Sequence, residues 1–125
     1  MNAIHFSPVE FAGARDEELL HNVEEHKYFI NQTIPFEVSL DEAYESWSLL
    51  IATPLNEAIA EAGLDRAFPQ ASKGDLFMKV SQHWYFLKKG GTVEITAHDA
   101  VIDYGVKFAP NAVSRFGFYL KKVAG

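Results

Sequence analysis

The strongest constraint on the fold is an internal repeat. When the sequence is shifted by 57 residues against itself, residues 18–54 align with residues 75–111 without a gap, and eight of the 37 aligned positions are identical. A repeat of this length predicts two equivalent structural units. The identical pairs are Leu19/Leu76, Val23/Val80, His26/His83, Tyr28/Tyr85, Phe29/Phe86, Glu37/Glu94, Ala43/Ala100 and Ala52/Ala109.

Each copy of the repeat begins with a helical pattern that contains a histidine. Apolar residues and the histidine recur at intervals of three and four residues, which is the spacing of one stripe along a helix. Asp16 is expected to cap the first of these helices and Ser72 the second, which Gly90 and Gly91 should end. The stripes consist of Leu19, Val23, His26 and Ile30 in the first copy and of Leu76, Val80, His83 and Leu87 in the second.

Two more helices are predicted in each copy after a short extended link. Serine or threonine followed three residues later by an acid is typical of a helix start, and this pattern occurs at Ser39–Glu42 and at Thr96–Asp99. Pro54 and Pro110 should then break the chain and start a third helix. The links are residues 34–38 and 92–95, where apolar positions alternate.

These signals predict an all-α fold in a single domain that covers the whole chain, with two pseudo-symmetric three-helix repeats at about 16–63 and 73–122. An α+β fold with a C-terminal antiparallel sheet is the alternative, because residues 101–108 and 116–120 are rich in residues that favour strands. The repeat favours helices in this region, since the matching first-copy segment, residues 43–52, has the composition of a helix.

Composition excludes several classes of protein. The chain has no cysteine, so disulfide cross-links, thiolate zinc sites and cysteine nucleophiles are excluded together. Its apolar runs are shorter than the ~20 residues that a membrane-spanning helix needs. The N-terminal segment is acidic and lacks the apolar stretch of a secretory signal. We therefore expect a cytoplasmic protein with no membrane partner.

The charge is distributed unevenly along the chain. Residues 1–62 contain two basic and twelve acidic residues, a net charge of −10, whereas residues 63–125 contain nine basic and five acidic residues, a net charge of +4. Opposite charges either pull the two halves of one molecule together or favour head-to-tail association between molecules, for example as a dimer, and salt weakens both. Nucleic acid is not expected, because the acidic half would repel phosphates.

The two equivalent histidines are the first candidates for a ligand site. If the units are related by a pseudo-twofold axis, His26 and His83 lie at symmetric positions near the interface between the units, where they could bind a small molecule, a metal or an anion. Two histidines alone do not complete a metal site. The competing interpretation is structural: each ring would bind the backbone of the extended link that follows its helix.

Aromatic residues next to these histidines are candidates for partner binding. Tyr28 and Tyr85 are predicted to point away from the histidine face. Together with Trp84 they are candidates for a partner surface or for the pocket of a flat ligand. Phe29 and Phe86 are instead predicted to pack in the core, because they follow the histidines by three residues. A second apolar patch, or a last helix that closes the core, is formed by Phe116, Phe118, Tyr119 and Leu120 beside Lys121 and Lys122.

Three segments resemble a bacterial domain of unknown function that occurs beside ParB-like or kinase-like modules in actinobacterial and chloroflexal proteins. They are residues 25–30, residues 38–47, and Phe68–Pro69 followed by residues 75–83, and together they span residues 18–86 approximately. The hallmark is a histidine followed by a basic residue and two aromatics. In the second copy Trp84 replaces the basic residue. The resemblance implies a similar architecture and an auxiliary regulatory or binding role, and it transfers no catalytic residue.

The sequence therefore predicts a non-catalytic interaction or regulatory module that contacts another protein or itself and needs no cofactor. The alternative is a protein that binds a small molecule or a metal between the two repeats, with enzymatic activity as one form of this alternative. An acid–base cluster of His98, Asp99 and Asp103 would serve such an activity. However, Asp99 is already explained by its position at a helix start.

Overall fold

A computed structural model describes residues 4–90 and 94–124, and these residues form helices and connecting segments with no strand. The all-α prediction is confirmed, and the alternative with a C-terminal sheet is not supported, because residues 101–108 and 116–120 lie within helices. The helices are α1 (Asp16–Thr33), α2 (Leu40–Trp47), a π-helical turn (Ser48–Ala52), α3 (Thr53–Ala62), α4 (Leu64–Ala67), α5 (Lys73–Lys89), α6 (Ala97–Phe108) and α7 (Ala112–Ala124).

Most of the predicted helix starts are formed by side-chain caps. The hydroxyl oxygens of Ser39, Ser72 and Thr96 each accept a hydrogen bond from the backbone N–H three residues later, at 3.2, 3.2 and 3.1 Å. The prediction for Asp16 was wrong, because Asp16 is the first helical residue of α1 and the cap position is Arg15. The side chain of Glu18 accepts the Arg15 N–H instead, which satisfies one backbone group at the helix start.

The helix boundaries follow the repeat. Helices α1 and α5 begin at Asp16 and Lys73, and helices α2 and α6 begin at Leu40 and Ala97, so that both pairs of starts are 57 residues apart. The first link, at residues 34–39, is non-helical, and part of the second link, residues 91–93, lies outside the described residues. The pseudo-symmetric arrangement of the two units in space stays a prediction.

The two prolines of the repeat have different effects. Pro110 separates α6 from α7 as predicted. Pro54 does not break the chain, because α2, the π-helical turn and α3 form one continuous helical segment from Leu40 to Ala62. The N–H of Thr53 donates to the carbonyl of Ser48, five residues earlier. A regular α-turn would bring the proline ring against the carbonyl of Leu50, and we infer that the wider turn relieves this clash.

The core is centred on aromatic residues from both halves of the chain. Trp47 and Phe77 are fully buried, and their ring centroids are 5.9 Å apart. Phe6 and Phe11, from the segment before α1, are buried against the same indole. This N-terminal arm is fixed to α5, since the N–H of Gly74 donates to the carbonyl of Ala12 at 2.7 Å.

Helix α6 lies at the centre of the second half and contacts α3, α5 and α7. Val101 and Ile102 are buried in α6, and Gly105 faces the buried ring of Phe118 from α7. A Cβ atom on Gly105 would lie 2.3 Å from Cγ of Phe118. Glycine therefore allows α7 to pack closely on α6.

None of the helices in the described part of the chain combines the length and apolar character needed to cross a bilayer.

Candidate functional site

The two equivalent histidines make equivalent hydrogen bonds. The Nε2 atom of His26 lies 2.8 Å from the hydroxyl of Ser46, and Nε2 of His83 lies 2.7 Å from a carboxylate oxygen of Asp103. Ser46 and Asp103 are also 57 residues apart. Each histidine thus connects the first helix of its copy to the second helix through a side chain. We predicted, as the structural interpretation, that each ring binds the backbone of the extended link. This was wrong for Nε2, whose partner is a side chain of the second helix.

The surroundings of His26 favour a neutral ring. Burial lowers the pKa of His26, and the positive charge of Lys88 lowers it further. Lys88 itself lies with Nζ 4.2 Å from the centroid of the Trp84 ring, and burial lowers its pKa as well. A neutral imidazole can still exchange a hydrogen bond with Ser46. Protonation of His26 would place a second positive charge in the environment of Lys88.

We expect His26→Gln to reduce the loss of stability in mild acid. Because the pKa of His26 is lower in the folded than in the unfolded chain, the unfolded chain takes up the proton first, and stability falls as the pH decreases below about 6.5. The variant lacks this titration. Urea unfolding at neutral pH and at about pH 5.5 should therefore show a smaller difference for the variant than for the wild type.

His5→Gln, which also replaces a histidine by glutamine but at an exposed position, is the matched control and should keep the wild-type difference. An unchanged pH response in His26→Gln would show that this ring does not titrate against folding.

Asp103 connects three helices. Its carboxylate accepts hydrogen bonds from His83 of α5, Lys107 of α6 and Lys122 of α7, at 2.7, 2.9 and 3.4 Å. Burial alone would raise the pKa of Asp103, but the hydrogen bonds from Lys107 and His83 and the charge of Lys107 outweigh it and hold the pKa below its usual value. One carboxylate facing two lysines leaves this part of the surface positive.

The aromatic candidates divide into buried and exposed residues. Trp84 is buried, and its indole N–H donates to the carbonyl of Ile95 at 2.8 Å. Tyr28 and Tyr85 are exposed, as expected for partner-binding residues. The prediction that Phe29 and Phe86 pack in the core was wrong, since their exposed fractions are 64% and 66%.

The predicted acid–base residues lie along a groove of about 300 Å³ between the end of α5, α6 and the end of α7. His98, Asp99 and Asp103 all line it, together with Lys121 and Lys122. Asp99 accepts the N–H of Thr96 at the start of α6, and Asp103 is held by three partners, so both carboxylates have structural roles. Among residues 4–90 and 94–124, no three histidine or carboxylate side chains come together to hold a metal ion.

The most unusual surface belongs to α7, whose apolar side is turned outward. Val113, Phe116, Leu120 and Val123 follow one another at intervals of three and four residues, and their exposed fractions are 84, 59, 48 and 62%. We call these four residues the outward face. At about 100° per residue, the buried Phe118 lies on the opposite side of the helix, about 160° from Phe116 and from Leu120. An amphipathic helix normally turns its polar side to solvent.

Basic residues flank the outward face. Lys121 lies on one side of it, and Arg115 and Lys122 lie on the other; we call these three residues the basic rim. The Nζ atom of Lys121 donates to the carbonyl of Ala62 at 2.7 Å and anchors α7 to the end of α3. Residues 104–125 contain four basic residues and no acid. An apolar face with a basic rim is suited to a partner with an apolar surface and acidic edges.

The continuous segment formed by α2, the π-helical turn and α3 has the opposite character. It contains five acidic residues and no lysine or arginine. Exposed residues recur at every fourth position along it, and we call this line the acidic ridge. At its middle the π-helical turn exposes two adjacent leucines, Leu49 and Leu50, which we call the leucine pair. The ridge consists of Asp41, Glu45, Leu49, Thr53, Glu57 and Glu61.

Comparison of the chain with protein-family models, with curated proteins and with solved structures finds no match. The side chains described above are therefore the basis for assigning a function. Sequence analysis identified the aromatic residues of α7 as a candidate patch. It did not separate the outward face from the buried Phe118, and it did not identify the acidic ridge.

Proposed function

We propose that the protein is a non-catalytic interaction module that binds a second copy of itself through the outward face of α7. The observation that carries this proposal is the reversed orientation of α7, which leaves Val113, Phe116, Leu120 and Val123 in contact with solvent. Exposed apolar residues of this kind, contiguous along a helix and bordered by polar groups, are typical of a protein interface.

A second copy is the partner that the charges favour. The outward face has a basic rim, and the same chain carries a strongly acidic surface on residues 40–62. Complementary charges of this kind speed association and select the partner. Both surfaces are exposed in the single molecule, so they do not cover each other within one chain. Contact between them requires two molecules.

The pseudo-symmetric arrangement of two three-helix units is part of this proposal. The starts of the first two helices of each copy, the bonds from His26 to Ser46 and from His83 to Asp103, and the exposed Phe29 and Phe86 recur at the repeat distance. Equivalent local contacts at a constant offset are typical of repeat proteins, in which one unit uses its neighbour to cover its apolar surface. A terminal unit without such a neighbour leaves that surface open.

We expect the wild-type protein to self-associate and Leu120→Glu to be monomeric. A carboxylate at position 120 would have to lose its bound water within the interface. At a central contact this lowers the binding free energy by at least about 2 kcal/mol, which raises the dissociation constant about 30-fold. Sedimentation velocity over a range of about 1 to 500 μM, wide enough to bracket typical weak interfaces, measures the effect. Phe116→Glu should behave in the same way.

Val9→Glu is the matched control. Val9 is an exposed apolar residue outside both surfaces, so this variant should associate like the wild type. Far-ultraviolet circular dichroism establishes that each variant is folded. A wild type that stays monomeric over the whole range, or α7 variants that associate like the wild type, would contradict the proposal.

A further inference from the structure

The structure points to the binding site for α7 on the second copy: we propose that the outward face of one molecule docks on the acidic ridge and leucine pair of the next, in a head-to-tail contact. This inference rests on the proposed self-association. It adds the identity of the receiving surface and the asymmetry of the contact, which the function proposed above leaves open.

The chemistry of the two surfaces is complementary. Leu49 and Leu50 are exposed side by side, and they would meet the apolar side chains of the outward face. Acidic residues lie on both sides of Leu49 along the ridge: Asp41 and Glu45 are eight and four residues before it, and Glu57 and Glu61 are eight and twelve residues after it. Each step of four residues joins neighbours on the surface of a helix. The acids would therefore border the apolar contact and face the basic rim.

The chain already contains a contact of this kind between its own two halves. Helix α3 packs against α6. The repeat distance relates α6 to α2, and α3 and α7 follow the aligned residues as the third helix of each copy. Ile59 and Ala62 are buried in α3, whereas their counterparts in α7, Phe116 and Tyr119, are exposed. The third helix of the first copy of the repeat is thus covered, and that of the second copy is not.

Helix α6, on which α3 packs, and its counterpart α2 also differ in exposure. Ile102 is buried in α6, whereas its counterpart in α2, Glu45, is exposed. Val106 is partly buried, whereas its counterpart, Leu49, is exposed. Helix α6 has the cover that α2 lacks. Docking of α7 on the segment formed by α2, the π-helical turn and α3 of the next molecule would supply such a cover.

Charge opposes the simplest alternative, a two-fold contact in which the outward faces of two α7 helices pack together. Such a contact would bring two basic rims into proximity, and of their residues Lys122 is offset by Asp103. Like charges across an interface disfavour association. A contact between the basic rim of one molecule and the acidic ridge of the next avoids this repulsion. A contact between two different surfaces can repeat, so that copies form a closed ring or an open chain.

The test is to mix two variants, each blocked on one surface. Leu120→Glu blocks the outward face, and Leu49→Lys places a positive charge in the leucine pair, opposite the basic rim. Each variant alone should be monomeric, with a dissociation constant raised at least about 30-fold. An equimolar mixture should form a 1:1 dimer and nothing larger, because one intact surface of each type remains. Sedimentation velocity and native mass spectrometry measure the composition.

The outcomes separate the two proposals. If Leu120→Glu is monomeric but Leu49→Lys associates like the wild type, the head-to-tail contact is wrong and the self-interaction function stands. If Leu120→Glu associates like the wild type, both proposals fail. Two monomeric variants that do not form a mixed dimer also contradict the head-to-tail contact. Wild-type association should weaken between about 50 and 500 mM salt, since screening reduces the attraction between the two surfaces.

Discussion

Gly105→Val should unfold much of the contact between α6 and α7 and cost about 3 kcal/mol of the free energy of unfolding, the upper end of typical overpacking effects. The first added carbon would lie 2.3 Å from Cγ of Phe118 and close to two further ring atoms. Phe118 is buried, so its ring has no free space to enter, and α7 must move. Urea unfolding measures the loss.

Gly117→Ala is the matched control for this substitution. Gly117 lies in α7, and a Cβ atom there meets nothing within 4 Å. Alanine favours a helix over glycine by up to about 1 kcal/mol, so this variant should be as stable as the wild type or more stable. Because α7 carries the outward face, displacement of α7 should also weaken self-association of Gly105→Val. Unchanged stability would show that α7 does not pack on α6 through Phe118.

Asn22→Ala should lower the free energy of unfolding by about 3 kcal/mol, because unsatisfied buried groups cost about 1–3 kcal/mol each. The amide oxygen of Asn22 accepts the indole N–H of Trp47 at 2.7 Å, and its amide nitrogen donates to the hydroxyl of Ser81 at 3.2 Å. One side chain therefore joins α1, α2 and α5. Its removal leaves both partners without their hydrogen bonds.

A double-mutant cycle with Trp47→Phe isolates this effect. Phenylalanine keeps most of the aromatic packing and removes the indole N–H, so Asn22→Ala should cost less in the Trp47→Phe background than in the wild type. Urea unfolding of the four proteins supplies the coupling energy. Additive effects would show that the Trp47 to Asn22 hydrogen bond contributes nothing to stability.

Asn22 illustrates what the repeat does not reveal. Its counterpart in the second copy is Lys79, an exposed residue that pairs with Asp75, so comparison of the two copies gives no reason to select it. The hydrogen bond depends on the relative position of three helices. Such an arrangement is long-range information that local sequence patterns do not contain.

Three of the helix starts were predictable because their signals are local. The caps at Ser39, Ser72 and Thr96 involve residues three positions apart, and they open helices whatever surrounds them. Strand propensity in residues 101–108 is overridden by the cap and by burial of one side of α6. The effect of Pro54 was not predictable in the same way, because the widened turn that accommodates it has no specific sequence signal.

The direction in which a helix faces was harder to predict than its presence. Phe29 lies about 60° around α1 from His26 and about 120° from the buried Val23, at about 100° per residue. The interval of three residues from His26 therefore placed it at the edge of the covered stripe, on the side away from Val23. In α7, apolar residues occur on both sides, and the buried side is the one that carries Phe118, whose ring packs against Gly105.

The N-terminal arm has a consequence for how the protein should be handled. Phe6 and Phe11 shield Trp47 and Phe77 from water, although both precede the first helix. A chain that begins at Asp16 would keep every long helix but would expose the rings of Trp47 and Phe77 to water. We expect it to self-associate through this surface, which is buried in the native protein. Affinity handles and fusion partners at either end should therefore be separated by a spacer, since α7 at the other end carries the outward face. Self-association that is then observed reflects the native surfaces.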